Sequence, residues 1–596
     1  MSYKAPVREQ MFVLKDVLEI EKYANLPGFA DAPLDVIEQI LEEGAKFCED
    51  VLAPLNHSAD KQGCVWSADN TVKTPDGFKA AYKQMVESGF PALSAHVADG
   101  GQGLPLVLNL AYSEASSSAN MGFSMYPGLT HGNYSAIRVG GTDEAKATYL
   151  PKLASGQWAG TMNLTEPQCG TDLALLRSKA IAQADGSYKI TGDKIWISGG
   201  EQDLTENIVH LVLARTENSL PGVKGISLFI VPKYLPTADG GVGPRNEGVK
   251  CVGLEEKMGI HGNATCFMNY DNATGWLIGE ENQGLRLMFV MMNEARLFVG
   301  LQGLSQGEAA YQAAAAFAKD RLQGRSLTGP KNPDGPADSI LVHPDVRRML
   351  MDSRAVLEGA RALLFWTMLH ADLETRDPDE AARERSADLV GILTPVVKSY
   401  LTQKGFEIAS AGMQVHGGSG FTEHFPASQY LRDSRIAMIY EGTNGVQALD
   451  LVGRKLPAKG GRAAMAFLAD IDAFAHENAA DEQLKPFIEA LNKAKGRLQD
   501  ATGWLMQNGL ANPDNAAAAS HDYLQLFALA GLAFMWAKMA KAAQGHIAAG
   551  DADPFYANKL ITAQYFIDRV APEGSAHLAK LKAGAAGVMA LPAEAF

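Results

Sequence analysis

At 596 residues the chain is too long for one hydrophobic core, which rarely grows past ~250–300 residues, so several structural units are expected. A composition of 46% hydrophobic and 20% charged residues is globular, and the net charge of -15 argues against phosphate backbones and anionic lipid, hence against a nucleic-acid partner. The five cysteines (Cys48, Cys64, Cys169, Cys251 and Cys266) form no C-x-x-C pair, which argues against a disulfide framework or zinc cluster and for a reducing, cytoplasmic compartment.

The charged start, MSYKAPVREQMFVLKDV, leaves no room for the apolar core of a signal peptide. Residues 1–160 read as a helical domain. DAPLDVIEQILEEGAKFCEDVLAPLN has helical apolar spacing up to Pro54, and LVLNLAYSEASSSANMGFSMYPGL reads as one long buried helix. A further helix opens at Thr142 or Asp143. Residues 161–283 change texture. GSYKITGDKIWISGG, NIVHLVLART, GISLFIVP and ATCFMNYDNAT are β-branched-rich runs between turn residues, as antiparallel strands are.

Helical texture returns over 284–455, in segments at 284–323, 341–375, 381–415 and 427–454 broken by the loop TGPKNPDGPAD. KLPAKGG reads as a linker, and 461–596 as a further helical unit with DYLQLFALAGLAFMWAKMAKAAQ as an amphipathic helix. No apolar run is expected to be long enough to cross a bilayer; LRLMFVMMNEARLFVGL is interrupted by Asn293, Glu294 and Arg296. The fold class is therefore mostly α with a middle antiparallel β domain and an extra C-terminal helical domain.

Two patterns mislead. Gly303-Leu304-Ser305-Gln306-Gly307 matches the hydrolase elbow G-x-S-x-G, but lies inside a helical pattern, where its small residues serve close helix packing. His416 and His424 are too scattered for a metal centre, and no G-x-G-x-x-G follows a strand.

Three segments carry chemistry. MNLTEPQCGTDLALLRSKA offers a rigid turn-rich loop with hydroxyls and backbone N–H groups, suited to a polar ring edge or a pyrophosphate, or to an ordinary capped turn. In DKIWISGGEQD, Trp196 and Ser198 fall on the same side of a strand, an aromatic surface beside a hydroxyl. In RDSRIAMIYEGTNGVQ, Glu441 stands between an apolar run and a turn, where desolvation would raise a carboxylate's pKa as a general base requires. Thr443 and Asn444 are also candidate caps for the helix that follows.

Together TEPxxG(S/T)D, WIS and RDxRxxxIYEGTN resemble the acyl-CoA dehydrogenase family over roughly residues 30–455, and the region after Gly460 resembles its large bacterial branch with a C-terminal extension. The resemblance implies a helical, β, helical fold and FAD-dependent α,β-dehydrogenation of an acyl-CoA. It implies Glu441 as catalytic base. It implies Met162, Leu164, Thr165, Thr171, Trp196, Ile197, Ser198, Arg321, Gln414, Gly417, Gly418, Thr443 and Asn444 at FAD, with Arg321, Gln414, Gly417 and Gly418 reaching the FAD of a neighbouring subunit. Thr171, Asn293, Arg296 and Gly442 are implied at the substrate. Pro344 departs from the Gln of many relatives, at a position of FAD contact.

The branch implies a homodimer, electron-transfer flavoprotein as electron acceptor, and a short acyl-CoA or 3-(methylthio)propanoyl-CoA as substrate, with medium- or long-chain acyl-CoA as the alternative. Residues 120–134 and the helix near 285–300 are expected to form the acyl pocket, with Met121, Phe123, Met125 and Tyr126 as lining. An acyl-CoA oxidase, a DNA-associated member of the superfamily and a hydrolase built on Ser305 are the competing readings.

Overall fold

The structure, a computed structural model, describes residues 3–596. They form two compact units, one of residues 42–298 and one of residues 3–41 with 299–596.

The unit of residues 42–298 packs helices on a seven-stranded sheet. All four β-branched runs form strands: Tyr188–Ser198, Asn207–Thr216, Ser227–Pro232 and Thr265–Ile278. The sheet is mainly antiparallel, but two pairings are parallel. Trp158–Asn163 and Lys179–Ala182 both run parallel to Asn207–Thr216. Trp158–Asn163 supplies the first parallel pairing, and it precedes the texture change at Gly160 by which the β region was recognised. Its partner Asn207–Thr216 is buried almost throughout, as parallel strands covered on both faces are.

The single long helix expected across 106–129 is two helices, Leu106–Ala119 and Met121–Gly140. Asn120 breaks it. Its backbone is extended (φ -159°, ψ 91°) and its Oδ1 accepts from the Phe123 N–H at 3.1 Å, so the side chain caps the second helix. That helix lies on the Trp158–Asn163 strand, where Asn133 donates to the Thr161 and Val209 carbonyls. Gly160 makes room, since a Cβ there would sit 2.3 Å from the Asn133 Cβ. The layer between holds Ile137, Leu150, Trp158, Leu211 and Leu228, all buried.

The other unit is helical. Its dehydrogenase-like part carries Pro344–Arg376, Glu380–His416, Ala427–Arg435 and Asn444–Asp450, with the end of the 37-residue helix Gly284–Asp320. The expected segment 427–454 is thus interrupted between Arg435 and Asn444, where the IYEGT turn stands. Gly303 and Gly405 cross in van der Waals contact: a Cβ on Gly405 would meet the Gly303 carbonyl oxygen at 2.0 Å. The G-x-S-x-G pattern is therefore a helix crossing, and Ser305 is wholly buried in it.

The C-terminal extension adds Arg462–Glu477, Lys485–Ala511, Pro513–Ala548, Pro554–Tyr565 and Glu573–Lys582. The sequence expectation on membrane-length segments needs correcting. Pro513–Ala548 is long and apolar enough to cross a membrane, although most of that stretch is buried inside the unit. Apolar residues surround it on all sides because it is a central helix. Trp536 is fully buried and donates from Nε1 to the Ala355 carbonyl at 3.0 Å, over Gly359, where any Cβ would strike the indole. A buried charge cluster adds a second anchor. The Lys559 Nζ lies 2.7 Å from the Glu358 Oε2 and also contacts Glu9; Arg354 holds Glu358, and Arg361 holds Glu308.

Candidate active site

The expected site residues divide between the two units and are described unit by unit. In the unit of residues 42–298, the loop after the Trp158–Asn163 strand folds back on the Tyr188–Ser198 strand. The Ile195 N–H donates to the Thr165 carbonyl at 3.0 Å. Beneath the loop, the Lys194 Nζ donates to the Leu164 carbonyl (3.1 Å) and to the Glu166 Oε1 (2.8 Å). Glu166 also accepts from the backbone of Arg177 and Ser178 and from the Ser178 hydroxyl. Burial pushes the Glu166 carboxyl up, but Lys194, Ser178 and the Arg177 N–H outweigh it and hold it at about 2. Burial pushes the Lys194 ammonium down, against the pull of Glu166.

Where Tyr188–Ser198 pairs with Thr265–Ile278 the register slips, and Trp196 takes a left-handed φ of 60°. The bulge leaves its indole 58% exposed, with Nε1 donating to Glu255 at 3.1 Å. A large exposed aromatic in a strained conformation is what a docking surface for a flat ligand looks like. Ser198 and Thr165 are half-buried on either side in sequence, and Thr171 is exposed. Among the described residues, the Thr165 and Ser198 hydroxyls take no protein partner. Met162 and Leu164 are half-buried; the Ile197 side chain points into the β core with Cys266 and Met268, which leaves only its backbone for a ligand.

Asn293 and Arg296 lie one helical turn apart, Asn293 exposed and Arg296 buried. The Arg296 Nη1 donates to the Asn293 Oδ1 at 3.3 Å, and its guanidinium lies 5.7 Å from the Phe289 ring. Between them in sequence, Glu294 pairs with His131 at 2.7 Å, and this pair had no signal in the sequence. Burial pushes the His131 imidazole down, but the Glu294 charge wins and raises it. Of the expected pocket residues, Phe123 packs edge-on to Phe78 and the Tyr126 hydroxyl accepts from the Ala264 N–H at 2.9 Å. Those two side chains are committed to the core.

In the other unit, Glu441 and Gly442 are both left-handed, with φ of 54° and 84°. Tyr440, just before them, donates its hydroxyl to the Gln302 Oε1, and burial together with the Glu441 carboxylate pushes its phenol well up. Thr443 caps the following helix, its Oγ1 accepting from the Val446 N–H at 3.3 Å. The Asn444 side chain turns away from the cap to helix Glu380–His416, where it meets Lys398, Ser399 and Thr402. Gln414, Gly417 and Gly418 are exposed at the end of that helix, and Arg321 is exposed at the end of Gly284–Asp320. The two ends are neighbours, since the Phe317 and His416 rings lie 4.5 Å apart, tilted by 32°. Pro344 is the first residue of its helix, where the missing N–H costs nothing.

Four family models match in order. The N-terminal, middle and C-terminal domains of acyl-CoA dehydrogenase match residues 35–157, 161–273 and 282–456, and an acetyl-CoA dehydrogenase C-terminal-like domain matches 467–592. A 3-methylmercaptopropionyl-CoA dehydrogenase from Ruegeria pomeroyi is 41% identical over 98% of both chains. The chain belongs to the acyl-CoA dehydrogenase family. A butyryl-CoA dehydrogenase from Syntrophomonas wolfei is 34% identical, over 100% of this chain and 99% of its own. An acyl-CoA dehydrogenase from Bacillus anthracis, solved with FAD, shares the fold at a TM-score of 0.74, with 22% identity over 92% of this chain and 88% of that one.

This acyl-CoA dehydrogenase is an oxidoreductase acting on an acyl-CoA, with FAD as cofactor. The residues present fit that cofactor. An exposed indole offers a stacking face, two hydroxyls without protein partners stand close to it in sequence and fold, and the loop that bears Thr165 is tied to the strand that bears Trp196 and Ser198 by the Glu166–Lys194 pair. The residues that hold the loops were not found from the sequence. Lys194 and Lys398 are single lysines in apolar-patterned elements, DKIWIS and TPVVKSYL, and that isolation was the available signal.

Proposed function

We propose that this dehydrogenase uses Glu441 to remove the Cα proton of a short-chain acyl-CoA, 3-(methylthio)propanoyl-CoA foremost. The observation that carries the base assignment is the conformation of Glu441 itself. A non-glycine residue in the left-handed region persists only where the surroundings impose it, and such residues gather at functional sites. FAD, when bound, accepts the hydride that leaves Cβ. Thr165, Thr171, Trp196 and Ser198, with the backbone of Met162, Leu164 and Ile197, hold it in one unit; Thr443 and Asn444 are further proposed cofactor-contact residues. Arg321, Gln414, Gly417 and Gly418 are exposed and reach the FAD of a second subunit, so the working form is a homodimer. Asn293 and Arg296 bind the CoA portion.

The proton chemistry belongs to the chain. A Glu441 carboxylate oxygen takes the Cα proton, while its backbone N–H donates to the thioester oxygen as negative charge develops there, worth roughly 3 kcal/mol for one such donor. Electron-transfer flavoprotein is the proposed acceptor. The substrate reading rests on the names of the relatives at 41% and 34% identity. A thioether sulfur is soft and apolar, so a pocket that takes butyryl-CoA accommodates it.

Glu441→Gln keeps the size and removes the basicity. It is expected to keep FAD and bind acyl-CoA while losing about 10²–10⁴ in turnover. A wild-type rate in this variant would place the base elsewhere. A kcat/KM maximum at sixteen carbons, in a series from 3-(methylthio)propanoyl- to palmitoyl-CoA, would overturn the short-chain substrate alone. Light scattering at any mass other than a dimer would overturn the subunit assignment.

A further inference from the structure

The loop that carries Glu441 is strapped to helix Glu380–His416 by one buried lysine. Lys398 is fully buried, with Leu393, Val396, Val397 and Leu401 buried around it on the same helix. Its Nζ donates to the Gly442 carbonyl at 2.7 Å and to the Asn444 Oδ1 at 3.2 Å. Asn444 in turn accepts from the Thr402 hydroxyl (3.1 Å) and donates to the Ser399 carbonyl (3.1 Å). On the other side of the loop, the Gln447 Nε2 donates to the Glu441 carbonyl at 3.3 Å. We infer that Lys398 is a positioning residue for the reaction, acting through the Gly442 carbonyl and the Asn444 side chain to hold Glu441. This rests on the reading of Glu441 as the base.

The physical need is specific. Two successive left-handed residues form a backbone that would relax if left alone, because Glu pays a steric penalty there that Gly does not. A strap must therefore grip the peptide oxygens on the loop. An ammonium has three donors on a flexible stem, so one side chain reaches a carbonyl and an amide oxygen together. A charged donor also makes the stronger hydrogen bond. The same backbone turn sets two reacting groups, the Glu441 carboxylate and the Glu441 N–H. Loosening it misplaces base and oxyanion donor in one step, while the residues proposed for FAD and CoA in the 42–298 unit are untouched. The signature is a loss in kcat, with KM and flavin content preserved.

The test uses the full-length holoenzyme. Lys398→Met keeps the stem and removes the donors. Its kcat is expected to fall by about 10²-fold, the scale of a 1 Å misplacement. Its KM is expected to stay within about threefold of wild type, with the visible flavin absorbance per chain unchanged. In a Glu441→Gln background the same substitution is expected to cost clearly less than in wild type, because the base is already disabled and only the oxyanion donor remains to be misplaced. Lys398→Gln, which removes the charge but keeps a donor, is expected to give the same kcat loss in smaller measure and serves if Lys398→Met does not fold. Wild-type kcat in both variants, a loss confined to KM or flavin content, or losses that multiply in the Glu441→Gln background would each overturn the inference. Full turnover in Glu441→Gln alone would instead overturn the base assignment on which it rests.

Discussion

Lys559→Met probes how the C-terminal extension is anchored. Lys559 is wholly buried and contacts both Glu9 and Glu358. Removing one partner of a buried ionic group costs about 3–5 kcal/mol, mostly from the charges left behind. Two features put the cost at the lower end. Glu358 keeps Arg354 at 2.6 Å. Glu9 is already raised, first by burial and then by the neighbouring Glu358 charge, so without Lys559 it protonates more readily as pH falls. About 3 kcal/mol corresponds to a fall in Tm of roughly 4 °C for a unit of this size.

The pH dependence follows from the signs. Glu358 is held below its usual 4.5, where burial raises it but Lys559 and Arg354 win; its contribution is present above 4.5 and lost as pH falls. Glu9 is raised, so its contribution is present below 4.5 and lost as pH rises through its folded value. Loss of the cation moves both carboxyls upward. The penalty is therefore largest at neutral pH and above, and it shrinks as pH falls and the orphaned carboxylates protonate. Differential scanning fluorimetry of wild type and variant at about pH 8 and about pH 5 reads this directly. A Tm gap that is absent, or equal at both pH values, would refute the reasoning.

Lys194→Met leaves Glu166 buried without its cation and is expected to lower flavin content per chain as the 164–178 loop loosens. Unchanged flavin absorbance would show that the loop does not depend on the pair. In the wild type this pair's contribution is complete above about pH 4.5 and is lost only as pH falls towards 2. Gly405→Ala forces a Cβ against the Gly303 carbonyl and is expected to cost about 1–3 kcal/mol by overpacking. A Tm equal to wild type would mean that the two helices part without penalty.

The order of textures was legible because it is written in local periodicity. The β-branched runs after Gly160 became strands, and the small residues at Gly303 and Gly307 became a helix crossing, as their context demanded. The turn at Glu441 was legible from its place after an apolar run. The partners that hold these groups were not. Lys398 meets Gly442 44 residues along the chain, and Lys559 meets Glu358 at a separation of 201. No local pattern encodes such pairs. The left-handed φ of Trp196 was equally hidden, since it arises from a slipped register with a strand about seventy residues away. Asn120 was the opposite case. Its capping chemistry was in the sequence, but the long apolar run around it masked the break.

The N-terminal segment has a consequence for how the chain is made. Phe12 packs edge-on to Phe555 at 5.3 Å, and Glu9 is held by Lys559, so the first helix rests on one of the last. Residues 42–298 are continuous and can fold as they emerge. The flanking unit cannot close until nearly the whole chain has been translated, roughly half a minute to two minutes after its first helix appears. Until then Phe12 lacks the Phe555 ring it packs against and Glu9 lacks Lys559. Truncation anywhere before Pro554 would make that interval permanent.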